Sequence, residues 1–177
     1  HLYARRQRQM CIRDRVKVGQ IGTIELKGEN IFKGYWGMEE KTKESFKDDG
    51  FFITGDLAKK DENGYFTIVG RDKDMIISGG LNVYPKEIED VINELPNITE
   101  SAVFGVQHDD FGEAVVAAVV TTDDKNDGSQ ILDYTKDKIA KYKQPKKIIF
   151  MSNLPRNSMG KVQKNKLREN NKSLFKS

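Results

Sequence analysis

Four short stretches carry residue types that can do chemistry. Thr54-Gly55-Asp56 ends an apolar run, and an aspartate at a strand end can accept hydrogen bonds from both hydroxyls of a ribose diol. Taken alone it reads better as an aspartate in a turn. Gly70-Arg71-Asp72-Lys73-Asp74 packs two anions among two cations. Its arginine offers a planar fork suited to phosphate or ribose oxygens, although an isolated cluster of this kind is more often a solvated ion-pair surface. Ser78-Gly79-Gly80-Leu81 lets a ligand chain pass close to the backbone because glycine has no side chain to block it; the plain alternative is a hairpin turn. Pro155-Arg156-Asn157-Ser158-Met159-Gly160-Lys161-Val162 reads as an irregular loop whose lysine can set a point charge on a phosphate or carboxylate. It lacks the spacing of a Walker loop.

The elements that must position these residues follow from hydropathy period and turn residues. Residues 21–27 alternate, with Ile24 and Leu26 on one face and Thr23, Glu25 and Lys27 on the other. A short polar helix is expected over 39–46, and strands over 51–53 and 65–69 around the Asn63-Gly64 turn. Strands at 75–78 and 82–84 are joined across Gly79-Gly80. Pro85 opens a helix whose stripe is Ile88, Val91, Ile92 and Leu95, with Pro96 as its stop. Strands at 101–106 and 114–121 follow, then a helix over 131–142 with Ser129 as its cap. A strand at 147–151 and a basic helix from Val162 complete the chain. The fold class is α+β, divided into a leader (1–15), a β-rich part (16–71), an α+β domain (72–168) and a frayed tail (169–177). Phe51, Phe52 and Tyr65 are expected to be exposed in the β-rich part.

Composition narrows the function classes. The chain has 177 residues, of which 37% are apolar and 32% charged, and it carries a single cysteine, Cys11. A disulfide scaffold is excluded, and two histidines with one cysteine cannot make a Cys/His zinc site. No run approaches the roughly 18 apolar residues of a membrane span. The net charge of +3 is not a nucleic-acid signature: residues 1–15 hold five Arg and one Asp, and the remainder has 25 basic against 26 acidic residues. Those fifteen residues have no helical or strand period, and they read as a foreign or unstructured leader. These features point to the cytoplasm, with an organelle such as the mitochondrion left open.

The order and spacing of the stretches are more specific than any one of them. IGTIELKGENIFKGYW (21–36), DGFFITGDLAKKDENGYFTIVGRDKDMIISGGLNVYPKEIE (49–89), DDFGEAVVAAVV (109–120), AKYKQPKKIIF (140–150) and LPRNSMGKVQKNKLR (154–168) together resemble the C-terminal part of the adenylate-forming acyl-CoA synthetases. Within that superfamily, KGYW, FFITGD, LNVYPKEIE, YKQPK and LPRNSMGKVQKN look most like malonyl-CoA synthetases.

The resemblance implies the end of a large-domain β-barrel subdomain followed by a small mobile C-terminal domain. It implies ATP, coenzyme A, Mg²⁺ and a small carboxylic acid as reactants, with an acyl-adenylate as intermediate. Asp56 would hold the ribose hydroxyls, Arg71 ribose or phosphate oxygens, and Lys73 the hinge. Lys161 would be the catalytic cation of adenylation, and Gly79, Gly80 and Leu81 would line the passage for the pantetheine thiol. The family's phosphate loop, acyl pocket and magnesium ligand lie upstream of the matching part, so the chain is expected to be the last third of such an enzyme and inactive alone. Two alternatives stand beside malonate: a fatty-acyl or aryl-CoA ligase, and a non-catalytic domain that binds a nucleotide or a partner.

Overall fold

The computed structural model describes residues 7–8, 16–123 and 127–175. The chain divides into two compact units between Lys73 and Asp74, two residues beyond the boundary expected at Arg71. The leader reading lies outside the described residues except at Gln7–Arg8. These two residues form a short strand, β1, antiparallel to β2 (Ile21–Leu26) through Arg8↔Thr23 and Gln7↔Ile24. A two-residue backbone pairing needs no side-chain period, so no residue pattern marks it.

Unit 1 is an antiparallel sheet in the order β1, β2, β3 (Phe52–Lys60), β4 (Phe66–Arg71). α1 (Glu39–Ser45) lies between β2 and β3 in the chain. The sheet is open, so no barrel closes within the described residues. The expected alternation of β2 fails at its centre. The register shifts between Thr23 and Glu25, and Glu25 is buried and ion-paired with Lys47. Residues 54–56 of β3 stand opposite Ile24 alone, and a bulge of this kind bends the pair and re-aims the side chains beside it. Of the three aromatics expected on the surface, only Tyr65 is exposed. Phe51 is 7% exposed, and Phe52 packs edge-on against Phe32 at 5.0 Å.

Unit 2 is built on one long antiparallel pair, β7 (Ile98–His108) with β8 (Gly112–Thr121). The hairpin β5 (Ile76–Ser78) and β6 (Leu81–Val83) joins at Ser78↔Gly112. β9 (Lys147–Phe150) runs parallel to β8 from Val116↔Lys147 to Val119↔Phe150. The run Ala114-Val115-Val116-Ala117-Ala118-Val119 does not alternate because both faces of β8 are covered. One face packs Val103, Val115, Ala117 and Val119 with α2 (Pro85–Ile92) and α3 (Ser129–Lys136) through Ile88, Ile92 and Ile131. The other packs Phe104, Val116 and Ala118 with Leu154 and with Leu167 of α4 (Lys164–Asn170). Each fully buried aliphatic side chain here contributes about 1.5–3 kcal/mol.

Three boundaries differ from expectation. α2 stops at Ile92, with the N–H of Asn93 donating to the carbonyl of Glu89. Leu95, which precedes Pro96, is disfavoured in a helix and turns with its N–H on the carbonyl of Ile92. α3 begins at Ser129 after Gly128, whose φ is +86°, and it ends at Lys136. Lys141–Lys143 is a separate 3₁₀ turn rather than the helix's last turn, cut off from α3 by Ala140, whose ψ of 144° is outside the helical region. The tail read as frayed is packed as far as Phe175: Leu174 and Phe175 lie against the second core face.

Candidate functional site

In unit 1 the site residues are set by an irregularity in β3. Gly55 has φ +73°, a conformation that admits few other residues. The Thr54 hydroxyl braces this kink by donating to the carbonyl of Ile24 at 2.8 Å and accepting from the N–H of Asp56 at 3.0 Å. Asp56 stands directly opposite Arg71 in the β3–β4 ladder, and Nε of Arg71 lies 2.8 Å from Oδ1 of Asp56. The Asp56 side chain is 25% exposed and that of Arg71 50%. A carboxylate acceptor and guanidinium donors thus stand side by side at the surface, which suits a diol next to an anion. Lys73 occupies the 3₁₀ turn Asp72–Asp74 and is the last residue of unit 1. In unit 2, Asp74 is held by Arg168 of α4 at 3.4 Å.

The Gly79-Gly80 stretch is the two-residue turn of the β5–β6 hairpin. Its φ values of +58° and +77° are those of a mirror-image turn, which twists with its strands. A Cβ at either glycine would meet nothing within 4 Å, so one side of the turn is open. The N–H of Gly79 donates to the carbonyl of Phe111 at 2.9 Å. Ile77 and Leu81 flank the turn, each about half exposed.

Lys161 is exposed on a closed turn rather than on the irregular loop that was expected. Arg156 and Val162 pair as an antiparallel bridge, and inside it the N–H of Asn157 donates to the carbonyl of Lys161 at 2.9 Å. Gly160, φ +77°, donates to the carbonyl of Asn157 at 2.9 Å. Arg156 is ion-paired with Glu100 of β7. The sequence reading singled out Lys161 and passed over Arg156, Asn157 and Thr54. An asparagine three residues before a glycine was the available signal for the turn.

The two turns of unit 2 that carry Gly79-Gly80 and Lys161 are anchored far apart. The glycine turn joins β8 at Gly112, whereas Glu100, which holds the lysine turn, stands opposite Val120. Eight residues of strand separate those positions, a span of about 26 Å at roughly 3.3 Å per residue. Among the described residues no cluster of His, Cys, Asp or Glu is arranged to hold a metal ion.

The family described as "AMP-binding enzyme C-terminal domain" matches residues 87–161. The chain is 45% identical over 148 residues to the long-chain-fatty-acid–CoA ligase FadD13 of Mycobacterium tuberculosis, covering 84% of this chain and 29% of that protein. It is 42% identical over 155 residues to the indoleacetate–CoA ligase of Aromatoleum aromaticum, covering 87% and 30%. The crystal structure of ATP-bound MatB from Rhodopseudomonas palustris superposes with a TM-score of 0.89 at 55% identity, covering 97% of this chain and 34% of that one. The chain thus spans about a third of the length of the proteins it matches. With the sheet, helices and turns described above, these matches identify residues 87–161 as an AMP-binding enzyme C-terminal domain.

Proposed function

We propose that this chain is the C-terminal part of an ATP-dependent, AMP-forming acid–thiol ligase. In such an enzyme a carboxylate oxygen attacks the α-phosphorus of ATP and pyrophosphate leaves; the coenzyme A thiol then attacks the acyl carbon and AMP leaves. The residues present fit these reactants. Asp56 and Arg71 offer the acceptor and donors a ribose and its phosphate require. The exposed Lys161 supplies positive charge where two anions are brought together, which stabilises the transition state electrostatically. The glycine turn, open on one side and flanked by Ile77 and Leu81, suits a thin, partly apolar thiol-bearing arm.

The observation that carries this reading is the distance between the anchors of the two turns. A reacting carbon cannot meet Lys161 and the glycine turn together when their anchors are about 26 Å apart along one sheet. Unit 2 therefore presents one turn for adenylation and the other for thioester formation, and Lys73, at the end of unit 1, is the hinge that allows it. The acyl pocket and the Mg²⁺ ligand belong to the part of such enzymes that this chain does not span, so the chain alone does not adenylate. The proposed location is the cytoplasm, with an organelle such as the mitochondrion as the alternative. No helix among the described residues is long and apolar enough to cross a membrane.

Malonate is the proposed acid, supported by 55% identity to MatB, a malonyl-CoA synthetase. The 45% identity to a fatty-acid ligase supports a second reading in which a longer acid is activated. The ligase chemistry and the choice of acid are tested separately. Residues 16–177 are joined to the N-terminal two thirds of MatB from R. palustris and assayed with ATP, Mg²⁺ and coenzyme A. Malonate-dependent pyrophosphate release and thioester formation are expected; a folded but inert joined protein would remove the ligase assignment. Reading the coding sequence directly upstream of Val16 in the source DNA then decides the acid through its pocket residues.

A further inference from the structure

The turn that carries Lys161 is fastened more heavily than an exposed turn requires. Oδ1 of Asn157 accepts from two amides, those of Met159 at 3.0 Å and Lys161 at 2.9 Å. The Arg156 guanidinium divides its donors: Nη1 donates to the carbonyl of Gly160 at 2.6 Å, and Nη2 pairs with the Glu100 carboxylate on β7. Beyond the turn, Lys164 pairs with Glu89 at 2.6 Å. Glu89 also accepts the N–H of Val103 on β7 at 2.8 Å. Ion pairs thus tie the chain on both sides of Lys161 to β7 and to α2, which packs on it.

A lysine head sits at the end of four rotatable bonds, so its placement is only as good as that of its backbone. We propose that Asn157 and Arg156 are positioning residues for Lys161. Asn157 fixes the direction in which the Lys161 Cα–Cβ bond leaves the turn, and Arg156 fixes the turn on the sheet. The inference rests on the reading of Lys161 as the cation of the adenylation step. Its physical content is that an error of about 1 Å at a reacting centre costs on the order of 100-fold in rate. Closing the turn needs only the backbone bonds already described. The two amides gathered by Asn157 and the divided guanidinium do something further, which is to remove the turn's freedom to rock.

The test uses Asn157→Ala, Asn157→Asp, Arg156→Met, Arg156→Lys and Lys161→Ala. In the full 177-residue chain, amide hydrogen exchange at Met159 and Lys161 is expected to accelerate about tenfold or more in Asn157→Ala and to stay slow in Asn157→Asp, which keeps an acceptor oxygen in place. In the joined ligase, Asn157→Ala and Arg156→Met are expected to slow malonate-dependent pyrophosphate release about 100-fold while keeping thioester formation from supplied malonyl-adenylate. Asn157→Asp restores the first step. Arg156→Lys does not, because one ammonium cannot serve the Gly160 carbonyl and Glu100 as a fork does. If Lys161→Ala abolishes adenylation while Asn157→Ala and Arg156→Met keep it within about twofold, the positioning role is wrong and the role of Lys161 stands. Equal loss of both half-reactions in Asn157→Ala would reduce the residue to a fold-stabilising one and overturn the inference. Full adenylation in Lys161→Ala would instead remove the reading beneath it.

Discussion

Arg71 reaches across the β3–β4 ladder and holds Asp56 through a single contact, Nε to Oδ1 at 2.8 Å. The pairing is a register match of two adjacent strands, so both groups are oriented by the sheet itself, ahead of the nucleotide proposed for them. Such preorganisation lowers the cost of binding because less side-chain freedom is lost on association.

The expected consequence concerns ATP. In the joined ligase, Asp56→Asn keeps the shape and removes the charge, so each hydrogen bond to a ribose hydroxyl weakens. A charge-assisted bond is worth about 1.5–3 kcal/mol, which corresponds to a rise in the KM for ATP of about 10- to 150-fold. Steady-state kinetics at saturating malonate measure it. An unchanged KM would remove Asp56 from the nucleotide site.

Lys161→Ala is expected to cripple adenylation while sparing the second step. Loss of a preorganised charge at a transition state typically costs about 100- to 1,000-fold. Pyrophosphate release and thioester formation from supplied acyl-adenylate are followed separately. Equal losses in both would contradict the use of opposite ends of unit 2 for the two steps.

Gly80 makes a prediction about stability and one about chemistry. With φ at +77° and open space where a Cβ would sit, Gly80→Ala costs about 1–2 kcal/mol through backbone strain alone. Gly80→Asn costs less, since asparagine tolerates that conformation. Urea denaturation of the 177-residue chain compares them. In the joined ligase Gly80→Leu is expected to slow thioester formation more than adenylation, and an unaffected second step would take Gly80 out of the thiol's path.

The two ion pairs beside the lysine turn are expected to differ in worth. Glu89 and Lys164 are 13% and 17% exposed, and Glu89→Leu leaves the ammonium and the Val103 amide without that carboxylate. A cost of about 2–3 kcal/mol is expected, between the ranges for surface and buried pairs. Glu100 and Arg156 are 26% and 45% exposed, and Glu100→Leu should cost about 1 kcal/mol or less. Urea midpoints at constant m-value give the difference, and equal costs would place both pairs in the same dielectric surroundings.

Much of this was legible in the sequence because it rests on local rules. Gly79-Gly80 between β-branched runs specified a hairpin, Pro85 opened α2, and the ordered motifs named Asp56, Arg71 and Lys161. What escaped was set by partners distant in the chain. Glu25 looked like a solvent-facing residue because its alternation is undone by a register shift against β3. Lys147–Phe150 was visible as a strand, but not its parallel pairing with β8. The Pro155–Val162 stretch looked irregular because its closing backbone bonds carry no side-chain pattern, and its fastening comes from one asparagine side chain and from Glu100, 56 residues before Arg156.

The outer side of β7 has a consequence for the growing polypeptide. Among the described residues β7 pairs with β8 alone; on its outer side the Val103 amide is met by the Glu89 carboxylate, while the side chains of Ser101 and Glu100 are met by Asn93 and Arg156. Arg156 and its turn are synthesised some fifty residues after β7 itself. Until α4 emerges behind them, the sheet face of Phe104, Val116 and Ala118 lacks Leu167 and offers apolar surface on which another chain can settle. Nonsense variants ending before Arg156 should accordingly clump during translation, whereas variants ending after α4 should not.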